Sequence, residues 1–139
     1  DPRLLPQLIG PILRGTADLV LGSRFLDGSP LAQGMPRWKY LGNRLLTWVE
    51  NRALGLALSE FHTGYRAFRR TVLESVPYTR NSDGFLFDQE ILVQAVRAGF
   101  RIAEIGVPTR YFREASTASF WASLVYGVRI VLLMGRTCR

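Results

Sequence analysis

Lysine is all but absent from this chain: Lys39 stands alone, and the other seventeen of its eighteen basic residues are arginine. Codon bias explains a choice of arginine over lysine, but not the positive sign; against eleven acidic residues the formal net charge is +7. Arginine presents a planar fork of donors that matches phosphate and carboxylate. Such a surface favours anionic partners: phosphorylated ligands, nucleic acid or a lipid headgroup layer. Cysteine is as scarce. Cys138 is the single one, near the C-terminal end, which excludes a disulfide framework and a thiolate metal site. His62 is the single histidine, so a histidine-rich metal site is excluded too. There is no signal-peptide pattern, no low-complexity tract and no internal repeat. The sequence opens at Asp1 without methionine and reads as a piece of something longer.

What is present suffices for one domain. The 139 residues are 47% hydrophobic and 21% charged, long enough to bury a core and too apolar for disorder. DPRLLPQLIGPILRG starts with an N-cap Asp and a Pro, then repeats Leu4, Leu5, Leu8 and Ile9 at helical spacing, with Gly10 and Pro11 expected to kink or end the helix. ADLVLGSRF holds a continuous apolar run, Leu19 to Leu21, bounded by Gly22 and fit for a buried strand; Ser23 and Arg24 would emerge at its C-terminal end. LDGSPLAQGMP is a loop by composition.

From Arg37 to about Leu58 the pattern is helical, carried by Trp38, Leu41, Leu45, Trp48 and Val49. YRAF predicts a short strand, TVLESV a turn or two of helix, and GFLFDQEILVQAVRAGF an amphipathic helix ended by Gly99. RIAEIGVPTRYF gives two extended pieces joined at Gly106 to Pro108. The apolar run from Phe120 to Met134 is shorter than the roughly 20 residues that span a bilayer and is interrupted by Arg129. Two readings of 120–139 stand: an amphipathic, juxtamembrane helix with Trp121 and Tyr126 as interfacial anchors, or a core helix.

Four places put cationic or hydroxyl groups at the end of an apolar element: GSRF, RWKYLGN, HTGYRAF and YFREAS. In an α/β fold such positions line a ligand site, where Arg24, Lys39 and Arg113 are placed to converge on phosphate and Gly22 and Gly64 to admit close backbone approach. Each alone is weak, since an Arg after a strand is usually a solvated surface residue. Their order is more specific.

GSRF, MPRWKYLGNRLLT, FHTGYRAFRR and FDQEILVQAVRAGFRIAEIGVPTRYFREAS, in that order, resemble the C-terminal half of a family 2 glycosyltransferase. The likeness is to the group of dolichol-phosphate mannosyltransferase and the bacterial polyprenyl-phosphate glycosyltransferases. The resemblance implies an α/β fold of the GT-A, Rossmann-like kind, partial over 1–119, with the nucleotide-binding half and an Asp-x-Asp motif upstream of Asp1. A divalent metal, Mg2+ or Mn2+, would be held there, so no metal ligand is assigned within this chain, and the 139 residues alone are expected to be inactive. It further implies a nucleotide-sugar donor, a polyprenyl phosphate acceptor and a place on the cytoplasmic face of the membrane.

By the same resemblance, Arg24 lies by the reacting phosphates and Arg113 on the acceptor loop. Lys39 and Asn43 stand where the family pattern has an arginine and a serine that hold the acceptor phosphate; the i, i+4 spacing keeps both on one helix face. Glu60, Thr63 and Gly64 match an Asp-x-x-Ser-Gly pattern, so the turn of Glu60, His62, Thr63 and Gly64 would close the site beneath the sugar, with Glu60 a catalytic candidate. His62 reads first as a hydrogen-bonded structural histidine, and Arg69 and Arg70 as a solvated face. A hydroxyl acceptor, as in cell-envelope polysaccharide synthesis, would need a carboxylate base, for which Asp88 and Glu90 are candidates; both also fit a helix N-terminal charge pair, the role that suits Asp88 better. Two non-catalytic readings compete: a basic membrane-associated module, and a nucleic-acid binder, against which the arginines are dispersed and carry no recognised motif.

Overall fold

A computed structural model describes residues 1–108 and 120–137. Asp1 caps a short 3-10 turn that runs into α1 (Leu5–Leu13). Gly10 and Pro11 do not end that helix: it continues to Leu13, and the Pro11 carbonyl then accepts the N–H groups of Thr16 and Ala17. β1 (Leu19–Ser23) is buried along its whole length, as its unbroken apolar run requires of a central strand, and extends two residues past the run through Gly22 and Ser23. A Cβ at Gly22 would sit 2.9 Å from both the Tyr65 and Val107 side chains, so this glycine is dictated by packing.

α2 (Arg37–Leu54) stops before the expected Leu58 because Gly55, at φ 66°, turns left-handed and returns its N–H to the Asn51 carbonyl. Asn51 then grips Leu58 by both backbone groups, Nδ2 to O at 2.8 Å and N to Oδ1 at 2.9 Å. After it come β2 (Arg66–Phe68), α3 (Arg70–Ser75), α4 (Phe87–Arg97), β3 (Ile102–Gly106) and α5 (Phe120–Thr137). α4 ends as its sequence predicts, with Gly99 at φ 80°. The second extended piece expected after Pro108 lies outside the described residues.

The protein is therefore mixed α/β, with a three-stranded sheet ordered β2-β1-β3. β1 pairs antiparallel with β2, Leu21 opposite Arg66, and parallel with β3, Ser23 opposite Gly106. Alternation of β1 side chains splits the core. Val20 joins Leu8 and Ala17 on the α1 side; Leu19 and Leu21 join Phe61, Val72, Leu92 and Ala95 on the other. A third cluster, Val93, Ile130 and Met134 with Leu46, Val49 and Ala53 beside it, ties α4 and α5 to α2.

α5 packs one face and exposes the other. Ile130 and Met134 are buried, while Trp121, Leu124, Val125, Val128, Val131 and Leu132 are exposed. No helix among the described residues is long and apolar enough to cross a membrane. α2 is turned the other way from a simple amphipathic expectation: Trp38, Leu41, Leu45 and Trp48 face outward, and the side packed inward carries Thr47 and Glu50.

Candidate functional site

Arg24 leaves the C-terminal end of β1 and meets Glu60, which is fully buried. The Glu60 carboxylate accepts the Arg24 backbone N–H at 2.9 Å on Oε2 and the guanidinium Nε at 2.9 Å on Oε1; Nη2 donates to Oε1 as well. Nη2 also donates to the His62 carbonyl at 3.1 Å. From α2, Asn43 Nδ2 donates to Glu60 Oε1 at 2.9 Å, and Thr47 Oγ1 donates to Asn43 Oδ1 at 3.2 Å. A buried carboxylate is tolerable when its lone pairs are met by a cation and by N–H donors, and these partners meet them. Glu60 thus orients both Arg24 and Asn43.

Lys39 sits one turn before Asn43. Its ammonium lies 5.3 Å from the Trp38 ring centroid. Partial burial, and after it the charge of Arg24, hold the Lys39 pKa below the ordinary lysine value. Two cations that raise each other's energy in this way are stabilised together by an anion between them. Of the four residues that the sequence placed in one site, Arg24, Asn43 and Glu60 are joined by hydrogen bonds, and Lys39 stands one turn before Asn43 on α2 without a direct bond to them among the described contacts.

Beside them, Ser59 donates its N–H to both Glu104 oxygens, at 2.9 and 3.0 Å, and its hydroxyl to Oε2 at 2.7 Å, while sharing a hydrogen bond with Ser23. This ties the segment before Glu60 to β3 and to the end of β1. Sequence reasoning passed over Ser59 and Glu104; the available signal was a lone carboxylate in the apolar alternation of IAEIG.

The rest of the turn departs from expectation in places. His62 Nε2 lies 2.9 Å from Oε2 of Glu50, itself fully buried, although neither group is aligned for a hydrogen bond, and its ring meets Tyr126 edge-on at 5.8 Å. Burial above all pushes the Tyr126 phenol up to about 12. Thr63 Oγ1 accepts the Tyr65 N–H at 3.3 Å. Gly64 has no left-handed φ, and a Cβ there would meet nothing within 4 Å, so no described atom approaches closely where close backbone approach was expected, and the space beside it is open. Glu90 accepts the Ser82 N–H at 2.7 Å and its hydroxyl at 2.9 Å, and does not figure among the contacts of Arg24, Glu60 and Asn43. Arg70 is exposed and pairs with Glu74, as a solvated face requires; Arg69 instead bonds the Ile12 carbonyl at 2.9 Å and faces Asp18. Arg113 lies outside the described residues.

Polar side chains gather at the C-terminal end of the central strand, where an α/β fold places a ligand site when it has one. Comparison with known proteins gives the particular kinship. The chain is 35% identical over 101 residues to a low-salt glycan biosynthesis hexosyltransferase of Haloferax volcanii, covering 72% of this chain and 24% of that one. It is 31% identical over 106 residues to the dolichyl-phosphate hexose transferase of the same organism, covering 76% and 43%. With the undecaprenyl-phosphate mannosyltransferase of Micrococcus luteus the identity is 31% over 112 residues, covering 77% and 43%. No protein-family model matches the chain. By sequence the chain is a homologue of these hexosyl- and mannosyltransferases, which bears out the resemblance to family 2 glycosyltransferases. The chain spans less than half the length of each of these relatives.

Proposed function

We propose that the whole protein transfers a hexose from a nucleotide sugar to a polyprenyl phosphate, with inversion at the anomeric carbon, and that this chain is the acceptor-side part of its GT-A domain. The observation that carries the reading is Arg24 held at the end of β1 by a buried Glu60 that also takes Asn43, with Lys39 one turn before Asn43 on α2, a set of cationic and N–H donors of the kind a phosphate monoester requires. The kinship with a dolichyl-phosphate hexose transferase and an undecaprenyl-phosphate mannosyltransferase supports this acceptor class.

A phosphate monoester, with a second pKa of about 6, is already a nucleophilic anion at neutral pH. It needs no strong base. Arg24 and Lys39 would hold its non-attacking oxygens so that one oxygen faces the anomeric carbon in line with the departing diphosphate. Glu60 keeps the Arg24 fork oriented and takes no proton in this scheme. Among the described residues no three His, Cys, Asp or Glu side chains gather as metal ligands would, and the resemblance places the ligands of a Mg2+ or Mn2+ upstream of Asp1.

The exposed stripes of α2 and α5 fit a membrane surface on the cytoplasmic side. Trp38, Trp48 and Trp121 are suited to the headgroup level, and α2 carries Arg37, Lys39, Arg44 and Arg52 against one acidic residue, the buried Glu50. A lipid-borne phosphate would reach Lys39 and Asn43 from that side.

The test is sugar transfer by the whole protein into the organic phase, with polyprenyl phosphate and free polyprenol as rival acceptors. Labelled product from the phosphate alone is expected. Transfer to the alcohol and not to the phosphate would move the protein to the hydroxyl-acceptor class and make Glu90 the base to test.

A further inference from the structure

Three successive carbonyls of the turn after Glu60 are captured by two arginines from opposite directions. Phe61 O accepts Arg66 Nη2 at 2.8 Å, His62 O accepts Arg24 Nη2 at 3.1 Å, and Thr63 O accepts Arg66 Nε at 2.7 Å. Arg66 reaches further: its Nη1 donates at 2.6 Å to the carbonyl of Asp88, in the first turn of α4. Gln89, the next residue, adds a donor to Phe61 O at 3.1 Å and another to the Tyr126 hydroxyl at 3.1 Å.

Arg66 is a poor choice for mere packing. Its guanidinium is largely buried, and burial holds its pKa below the ordinary arginine value, with Asp88, Tyr126, Glu50 and Glu60 pulling the other way. An apolar residue would fill the same place without that desolvation. What an apolar residue lacks is a rigid fork able to fix carbonyls of two separate segments at once. The fork is also anchored, since Arg66 pairs with Leu21 of β1 through the sheet.

We infer that Arg66 is a positioning residue for transfer: by clamping Phe61 and Thr63 to α4 it fixes the height of Glu60, and so the aim of Arg24 and Asn43 at the acceptor phosphate. This rests on the acceptor reading above. Lysine at 66 would keep the charge and lose the three-point geometry.

The experiment is steady-state transfer by Arg66→Lys and Arg66→Ala in the whole protein, with donor and polyprenyl phosphate varied separately and folded fraction measured by circular dichroism. At equal folded fraction, Arg66→Lys is expected to raise the KM for polyprenyl phosphate about 10-fold, the size of one lost charge-assisted hydrogen bond, with the donor KM unchanged. Methylguanidinium at millimolar concentration is expected to restore part of the Arg66→Ala activity by refilling the fork. A fall in activity that follows folded fraction, with both KM values unmoved and no rescue, would make Arg66 structural and overturn the inference. So would wild-type acceptor kinetics in Arg66→Lys. If the wild-type protein itself ignores polyprenyl phosphate, or Arg24→Ala leaves its KM unmoved, the acceptor reading has failed.

Discussion

Glu60 holds Arg24 by both ends: the same carboxylate accepts its main-chain N–H at 2.9 Å and its guanidinium Nε at 2.9 Å. A carboxylate so occupied is an orienting group. Glu60→Gln, which sets an NH2 against the guanidinium, should therefore lower transfer about 10-fold or more without shifting the acidic limb of the pH–rate profile. Loss of that limb would instead mark Glu60 as a proton carrier.

Lys39 gives an alkaline signature. Its pKa is held below the ordinary lysine value by burial first and Arg24 second, so its charge is present at neutral pH and lost earlier than usual as pH rises. Weakening of polyprenyl phosphate binding on the alkaline side is expected in the wild type and absent from Lys39→Arg, whose charge does not titrate there. Equilibrium binding of a short-chain polyprenyl phosphate across pH checks it; parallel curves for the two proteins would remove Lys39 from the site.

Asp18 carries a stability effect of known sign. Hydrogen bonds from the Arg101 side chain and backbone, then the charges of Arg101 and Arg69, hold its carboxyl below the usual carboxylate value. The stabilisation is fully present above the unfolded value of about 3.9 and is lost as pH falls through the folded one. Asp18→Asn should therefore lower the urea midpoint at neutral pH, and the gap from wild type should close below about pH 4. A gap that persists at low pH would mean the loss is not electrostatic.

For the turn, Gly64→Val should fold and melt like the wild type, because the φ is ordinary and a Cβ meets open space. It should still lower transfer if the sugar occupies that space, and His62→Gln should be milder. Normal turnover in Gly64→Val beside an inactive His62→Gln would move the sugar elsewhere and make His62 the residue to pursue.

Binding to anionic liposomes should weaken when Trp38 and Trp48 are both replaced by serine, since these exposed rings sit among the arginines of α2. Co-sedimentation at low and high salt reads it. Unchanged binding would confine any membrane contact to α5 or dismiss it.

Much of this was legible because local chemistry and burial agreed. An uninterrupted Leu-Val-Leu run bounded by Gly22 fits a buried strand, which it forms, and Gly99 ends α4 as expected. The orientation of α2 was not legible. Its periodicity showed a helix, but apolar residues lie on two faces, and the inward one, with Leu46, Val49 and Ala53, also carries Glu50. Nor could spacing reveal Arg66, whose partners are main-chain carbonyls and leave no trace in side-chain pattern. Glu104 was hidden for the opposite reason: its partner Ser59 is 45 residues away.

Two of the residues that depart from the family pattern implied by the resemblance, Asn43 for serine and Glu60 for aspartate, touch. Serine is shorter than asparagine and aspartate shorter than glutamate, so shortening either side chain breaks the 2.9 Å bond between them. Both single changes lose the same bond, so Asn43→Ser and Glu60→Asp together should be tolerated better than the sum of the single changes allows.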